Sequence, residues 1–151
     1  MYEIAVHHTI DAAHRVVGHT NPDGSPGKCS RLHGHTYAFD VQLEGSKLNG
    51  TGFVVDFGDV KRVLDAWDHR TLLWADDTIT LVDIGTSEDD PERMGVVRVP
   101  FNPTAENMAR YLAEEFIAIE GVDAARVCVR ETAKTAATWT EPQYLAGVLN
   151  V

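Results

Sequence analysis

The sequence contains no long apolar run and no run of Lys and Arg. A membrane-spanning helix needs roughly 20 apolar residues in succession, and the first residues lack the basic region and the apolar stretch of a signal peptide. The 13 Lys and Arg residues are outnumbered by 23 Asp and Glu, a formal net charge of −10, which would repel a phosphate backbone. We therefore expect a cytoplasmic protein whose main partner is neither a membrane nor a nucleic acid.

Cysteine is also scarce, with only Cys29 and Cys128 in the chain. In a reducing compartment two such thiols are more often free than bridged. Cys29 lies in a glycine-containing loop beside Lys28 and near Arg31, and positive surroundings favour the reactive thiolate; an unreactive thiol is the alternative. Cys128 has no such surroundings and is expected to be a small apolar residue inside a strand.

The length of 151 residues, 44% of them hydrophobic, fits one domain with a core of its own. Two domains of ordinary size do not fit, and a (β/α)8 barrel is excluded because it usually needs about 250 residues. We expect a single domain over residues 1–151, with an insert at about 75–100.

Alternation of apolar and polar residues predicts extended strands. The clearest segments are 4–14, 33–43, 126–132 and roughly 138–149. Within the less regular part at 75–100, residues 78–82 and 96–99 are expected to form a hairpin.

Two segments have the apolar spacing of amphipathic helices. The first starts after Asp56 as N-cap and ends close to Asp68, and the second starts at Asn102 or Thr104 and stops at Gly121. Strands at both ends of the chain with helices between them predict an α+β fold with an antiparallel sheet.

Three histidines have the spacing of a metal site. His33 and His35 lie two apart on one strand face, with Gly34 between them to let a ligand approach closely, and His14 ends the same face of the other well-marked strand. If the two strands are neighbours, three imidazoles converge, and three nitrogen ligands without a fourth suit a catalytic zinc ion. The alternative is histidines that are satisfied by hydrogen bonds at the rim of the sheet.

Two further sites carry acidic residues. Asp68 precedes His69 at a helix end, where a carboxylate can hold an imidazole in one tautomer for proton transfer; a solvated helix terminus is the alternative. Glu131 shares a face with Val127 and Val129, where an apolar residue would be expected. A carboxylate there is costly unless it binds something, such as the paired N–H groups of a heterocycle or, alternatively, an arginine.

Together these motifs resemble the 6-pyruvoyltetrahydropterin synthase superfamily over almost the whole chain. The segments that carry the resemblance are Ala12-Ala13-His14, Cys29-x-x-x-His33-Gly34-His35, Gly52-x-x-x-Asp56-Phe57, Asp68-His69, Pro103-Thr104-x-Glu106-Asn107 and Glu131-Thr132. The short spacing from cysteine to His-Gly-His is similar to that of the 6-carboxytetrahydropterin synthases of queuosine and 7-deazapurine biosynthesis.

The resemblance implies a T-fold (tunnelling fold), in which a four-stranded antiparallel sheet carries two helices on one face. It also implies a barrel-like homohexamer of two trimers, with active sites between subunits. By position, the resemblance assigns His14, His33 and His35 as zinc ligands and Cys29, Asp68 and His69 as a catalytic triad. It assigns Glu131 as a pterin anchor and Thr104 and Glu106 as residues of the pterin pocket.

The implied reaction converts 7,8-dihydroneopterin triphosphate to 6-carboxy-5,6,7,8-tetrahydropterin, acetaldehyde and triphosphate, with Zn2+ and without nicotinamide or flavin. Lys28, Arg15 and Arg31 are candidates for binding the triphosphate. Two alternatives stay open: an enzyme of this scaffold that stops at 6-pyruvoyltetrahydropterin, and a pterin- or purine-binding module without turnover.

Overall fold

The computed structural model describes residues 1–79 and 95–142, and two long strands dominate it. Strand β1 (Tyr2–His14) pairs antiparallel with strand β2 (His33–Gly45) over their full length, from Tyr2 opposite Gly45 to His14 opposite His33. Alternate side chains of each strand are buried, as a period of two requires. Both strands are thus confirmed.

Among the described residues, four shorter strands extend this pair to a six-stranded sheet. They are β3 (Arg70–Trp74), β4 (Val96–Val99), β5 (Ala124–Thr132) and β6 (Thr135–Pro142), in the spatial order β4-β3-β1-β2-β5-β6. β5 and β6 continue the antiparallel pairing beyond β2, whereas β3 runs parallel to β1 and β4 parallel to β3. The sheet is therefore mixed, and the expectation of a four-stranded antiparallel sheet is wrong.

Strands β3 and β4 lie on the β1 edge of the sheet. Because β3 is buried, its sequence lacks the pattern that predicts a strand. Leu72 and Leu73 are neighbours in β3, and both are fully buried. A strand that is covered on both faces lacks the alternation that marks a half-exposed one, as parallel strands commonly do. The pattern that predicted β1 and β2 therefore could not find β3.

The predicted hairpin and last strand are found only in part. The segment 96–99 is a strand but pairs with β3, and the proposed partner at 78–82 is not a strand at its first two residues. Residues 80–94 of the expected insert lie outside the described residues. The last strand begins earlier than expected, at Thr135, and its predicted continuation over 143–149 also lies outside them.

Two helices begin where the sequence predicts them. Helix α1 (Phe57–Asp65) is capped by Asp56, whose carboxylate accepts a backbone N–H of the first turn. Helix α2 (Ala105–Ile117) is capped by Thr104, whose hydroxyl accepts the N–H of Asn107. Such caps each stabilise a helix by about 1 kcal/mol. Neither of these described helices is long and apolar enough to cross a membrane.

Both helices cover the same face of the sheet. Even-numbered residues of β1 and odd-numbered residues of β2 and β5 point toward the helices, and their buried side chains form one cluster with them. The largest fully buried apolar members are Tyr37, Phe39, Phe116, Leu43 and Leu64. Burying each such side chain contributes roughly 1.5–3 kcal/mol. The helical face of the sheet ends at His14, where the core gives way to polar residues.

Candidate active site

Strand pairing brings three histidines together at one end of the sheet. His14 lies directly opposite His33 in the β1–β2 register, and His35 follows two residues later on the same face. One nitrogen atom from each imidazole lies within 4.8 Å of the others. The convergence that the sequence predicted for neighbouring strands is therefore found.

Hydrogen bonds fix the tautomers of two of these imidazoles. Nδ1 of His14 donates to the Pro103 carbonyl at 2.6 Å, and Nδ1 of His33 donates to the Arg31 carbonyl at 2.7 Å. A carbonyl oxygen can only accept, so in the neutral rings each Nε2 carries a lone pair. The two Nε2 atoms lie 3.2 Å apart, and two nitrogens bound to one tetrahedral zinc at about 2.0–2.1 Å are roughly 3.3 Å apart.

Burial favours the neutral, cation-binding form of two imidazoles of the cluster. His14 is 1% exposed, and this burial lowers its pKa to about 4 against the opposing hydrogen bond to Pro103. The pKa of His35 is also lowered, mainly by burial, and its Nε2 is buried without a hydrogen-bond partner. Neutral imidazoles with free nitrogens are the donors that zinc prefers. These three residues could hold a metal ion.

A cavity of about 340 Å³ opens beside the histidines. Five of the residues that the sequence predicted to be functional line this cavity. They are His14, Cys29, Glu131, Thr104 and Glu106. The volume is within the range of small-molecule sites.

Glu131 reaches this cavity from a distorted part of β5. The pairing with β6 shifts register between Val129 and Thr132, and a bulge of this kind can redirect a side chain. The Glu131 side chain is only 28% exposed, and its Oε1 lies 3.8 Å from Nε2 of His14. The Glu131 carboxylate therefore contacts a neutral histidine of the cluster, and not the arginine that the alternative required.

Cys29 is held in a short 3-10 helix (Lys28–Ser30) before β2. Its carbonyl accepts the N–H of Val16 at 2.7 Å, which ties the two ends of the loop between β1 and β2. The thiol is free and partly buried on the cavity wall. Cys128, in β5, is also free and is buried.

Asp68 and His69 form a separate pair that is hydrogen-bonded to β1. The Asp68 carboxylate accepts the Asp11 N–H at 2.9 Å and contacts Nδ1 of His69 at 2.8 Å, while the His69 N–H donates to the Asp11 carbonyl at 2.7 Å. The hydrogen bond from Asp11 is the main cause that lowers the pKa of Asp68, and the Asp68 carboxylate raises the pKa of His69. The His69 side chain is 78% exposed.

This pair does not meet Cys29 within one chain. His69 lines a shallow depression with Asp11, Gly34 and Thr36, whose positions in β1 and β2 alternate with those of the buried histidines. The depression is therefore on the face of the sheet opposite the helices. The expected triad is divided between the two faces.

Gly34 also has a different setting from the one expected. Side chains alternate along β2, so a side chain at position 34 would point to the face of His69, where its Cβ would lie 3.3 Å from the Ala12 carbonyl oxygen, and not to the face of His33 and His35. The expectation that Gly34 lets a ligand approach the histidines is wrong.

The basic candidates differ in their surroundings. Nε of Arg15 lies 3.2 Å from Oδ2 of Asp77, whose side chain is 1% exposed, so this arginine already balances a buried carboxylate. Lys28 is the first residue of the short helix that carries Cys29, Arg31 directly follows this helix, and both are exposed.

Several residues of the cavity wall were not predicted from the sequence. They are Val16, His19, Ala105 and the β6 residues 135–137. His19 is in a loop without periodicity, and the approach of β6 depends on its pairing with β5. Only the tertiary structure indicates that these residues face the site.

Comparison with known proteins decides the family. The model of the 6-pyruvoyl tetrahydropterin synthase family matches residues 3–142. The chain belongs to this family. Among solved structures, the 6-pyruvoyl tetrahydropterin synthase from Plasmodium vivax is similar in fold, with a TM-score of 0.63 at 23% identity over 93% of this chain and 98% of that one.

Within the 6-pyruvoyl tetrahydropterin synthase family, curated relatives are similar in sequence. A probable 6-carboxy-5,6,7,8-tetrahydropterin synthase from Halobacterium salinarum is 40% identical over 125 residues, 82% of this chain and 76% of that protein. The 6-carboxy-5,6,7,8-tetrahydropterin synthase from Rickettsia felis is 34% identical over 111 residues, 70% of this chain and 73% of that one.

Proposed function

We propose that this chain is a 6-carboxy-5,6,7,8-tetrahydropterin synthase. The reaction converts 7,8-dihydroneopterin triphosphate and water to 6-carboxy-5,6,7,8-tetrahydropterin, acetaldehyde and triphosphate. The names of the curated relatives support this product. The observation that carries the proposal is the cavity that brings Cys29 and Glu131 together with His14 of the histidine cluster.

His14, His33 and His35 are the proposed zinc ligands. The unpartnered Nε2 of His35 and the facing Nε2 atoms of the other two support this assignment. When bound, zinc supplies Lewis acidity that makes substrate hydroxyl groups more acidic and stabilises negative charge on their oxygens.

Glu131 is proposed to anchor the pterin ring. Its carboxylate can accept two roughly parallel N–H bonds from the heterocycle, and such charge-assisted bonds are strong in a partly buried site. Thr104 and Glu106 line the same cavity at the start of α2. A pterin ring bound in this way would direct its side chain toward the histidines and the thiol.

Cys29 is proposed as the base that removes a proton from the substrate side chain. A thiolate is a competent general base when held within reach of its proton. The oxidation and reduction are both internal to the substrate, so the scheme requires no nicotinamide or flavin.

Asp68 and His69 are proposed to act on the substrate of a neighbouring subunit. They lie on the sheet face opposite Cys29, and the His69 ring is exposed. A second copy that docks against this face would complete the triad, which agrees with the proposed homohexamer of two trimers. Asp68 then orients the His69 imidazole, and the imidazole moves a proton to or from the substrate.

The proposed reaction is tested by incubating the purified protein with 7,8-dihydroneopterin triphosphate. Mass analysis should find 6-carboxytetrahydropterin and acetaldehyde in equal amounts. Accumulation of 6-pyruvoyltetrahydropterin would instead assign triphosphate elimination alone. Binding without any product would identify a pterin-binding module.

A further inference from the structure

The side-chain amide of Asn102 pairs with the backbone of Val17. Its Oδ1 accepts the Val17 N–H at 2.9 Å, and its Nδ2 donates to the Val17 carbonyl at 2.9 Å. One side chain thus satisfies both backbone polar groups of a single residue, as an adjacent β-strand would. This pair ties the loop after β1 to the segment before α2.

The helix side of this connection is itself fixed. The Asn102 carbonyl accepts the N–H of Thr104 at 2.7 Å and Nδ2 of Asn107 at 2.9 Å. The sequence allowed either Asn102 or Thr104 as the cap of α2, and Thr104 is the cap. The amide of Asn102 is therefore not needed to start the helix.

The connection lies between the thiol and the histidine cluster. Val16, next to Val17, donates its N–H to the Cys29 carbonyl at 2.7 Å. Pro103, next to Asn102, accepts the hydrogen bond from His14 at 2.6 Å. The Asn102–Val17 contact is thus linked on one side to Cys29 and on the other to His14, and both of these residues line the cavity.

We propose that Asn102 is a positioning residue that fixes the Cys29 thiol relative to the histidine cluster. The proposal rests on the function proposed above, because that reaction needs a base and a histidine-lined site at one distance from the substrate. A displacement of about 1 Å at a reacting group can slow catalysis by about 100-fold. Because the Asn102 amide binds both the N–H and the carbonyl of Val17, the loop cannot move at this residue without breaking a hydrogen bond.

Two substitutions separate the parts of this contact. Asn102→Ala removes both hydrogen bonds to Val17. Asn102→Asp keeps an acceptor for the Val17 N–H but places a second acceptor against the Val17 carbonyl. The matched control is Asn21→Ala, because the Asn21 amide bonds at the outer end of the same loop, to Ser25 Oγ at 2.9 Å.

All three variants are made in a Cys128→Ala background, where Cys29 is the single thiol. We measure zinc content, melting temperature, kcat and KM, and the rate at which iodoacetamide alkylates Cys29. Alkylation reports the position and exposure of the thiol without any turnover.

Both Asn102 variants should fold and retain zinc while kcat falls at least about tenfold and KM changes less than about threefold. Alkylation of Cys29 should become at least about threefold faster, because exposure limits the reactivity of a partly buried thiol. Asn21→Ala should match the parent protein in all of these measurements.

Three results would overturn the proposal: unchanged kcat, an unchanged or slower alkylation rate, or loss of fold or zinc in both Asn102 variants. The last result would make Asn102 a residue of general stability. If the parent protein does not turn over dihydroneopterin triphosphate, the proposed function fails, and alkylation still decides whether Asn102 positions Cys29.

Discussion

His14 and His33 face each other across the β1–β2 pair with their Nε2 atoms 3.2 Å apart, each ring held by a backbone carbonyl behind it. Neutral imidazoles in this arrangement point two lone pairs at one another, which is unfavourable unless a positive charge lies between them. The carbonyl partners also correspond to the outer contacts that orient histidine ligands in metal sites.

The first prediction concerns the metal. His33→Ala should lose most of the bound zinc, because two remaining imidazoles are too few to hold it. His7→Ala is the control, since His7 is on the exposed sheet face and pairs with Asp40. The purified variants are compared by elemental analysis. Equal zinc in the parent protein and in His33→Ala would rule out this site.

The second prediction separates proton transfer from metal binding. Cys29→Ala should keep its zinc and fold but lose turnover by about 100-fold or more, as removal of a general base does. Cys128→Ala should stay active, because Cys128 lies buried in β5 and away from the cavity walls. The measurement is the initial rate of product formation. A Cys29→Ala rate close to that of the parent would assign the base to another residue.

The third prediction concerns recognition of the pterin ring. Glu131→Gln keeps the shape of the side chain but places an N–H donor against a donor of the ring. A mismatch of this kind costs about 1–3 kcal/mol, so the affinity for neopterin should fall by about 5- to 150-fold with zinc unchanged.

The matched comparison is Glu106→Gln. Glu106 lines the same cavity but is exposed in the first turn of α2, so the same change should weaken binding less. Calorimetric titration measures both. Undiminished binding by Glu131→Gln would leave this carboxylate with a structural role only.

The fourth prediction is a pKa change at His69. The Asp68 carboxylate raises the pKa of His69, so His69 stays protonated to higher pH than an isolated histidine. Asp68→Asn should therefore lower the pKa of His69. NMR titration follows the imidazole signals, with His69→Ala used for assignment. Asp65→Asn, which alters the contact to His8 at 2.6 Å, should leave the His69 midpoint in place.

The fifth prediction tests sharing of the site between subunits. Cys29→Ala and His69→Ala chains should each be inactive as pure assemblies. Unfolded and reassembled together in equal amounts, they should recover about a quarter of the parent activity, because random pairing gives that share of sites with both residues intact. No recovery in mixed assemblies confirmed by mass spectrometry would place the whole reaction within one chain.

The sequence predicted the parts of the molecule that depend on a regular period. Alternation located β1 and β2, and the shared parity of His14, His33 and His35 predicted their convergence once the strands paired. The same rule applied to Gly34 would have placed it on the other face, since it differs from His33 by one position.

Other features depend on contacts that no local pattern encodes. β3 has two adjacent buried leucines, so its sequence does not distinguish a covered strand from a short helical segment. Hydrogen bonds to the backbone of Asp11 hold Asp68 and His69 beside β1, and His69 lines the depression on the face of the sheet away from Cys29. The sequence places these residues in order along the chain but not on opposite sides of a sheet.

The full-length pairing of β1 with β2 has a consequence for folding. A slip of one residue between the strands would move every side chain of the slipped strand to the other face, so His14 could no longer meet His33 and His35. A metal ion that binds only the correct alignment stabilises that alignment by mass action and leaves slipped forms without this gain. Metal supplied during refolding should therefore select the correct strand register and raise the yield of correctly paired chains.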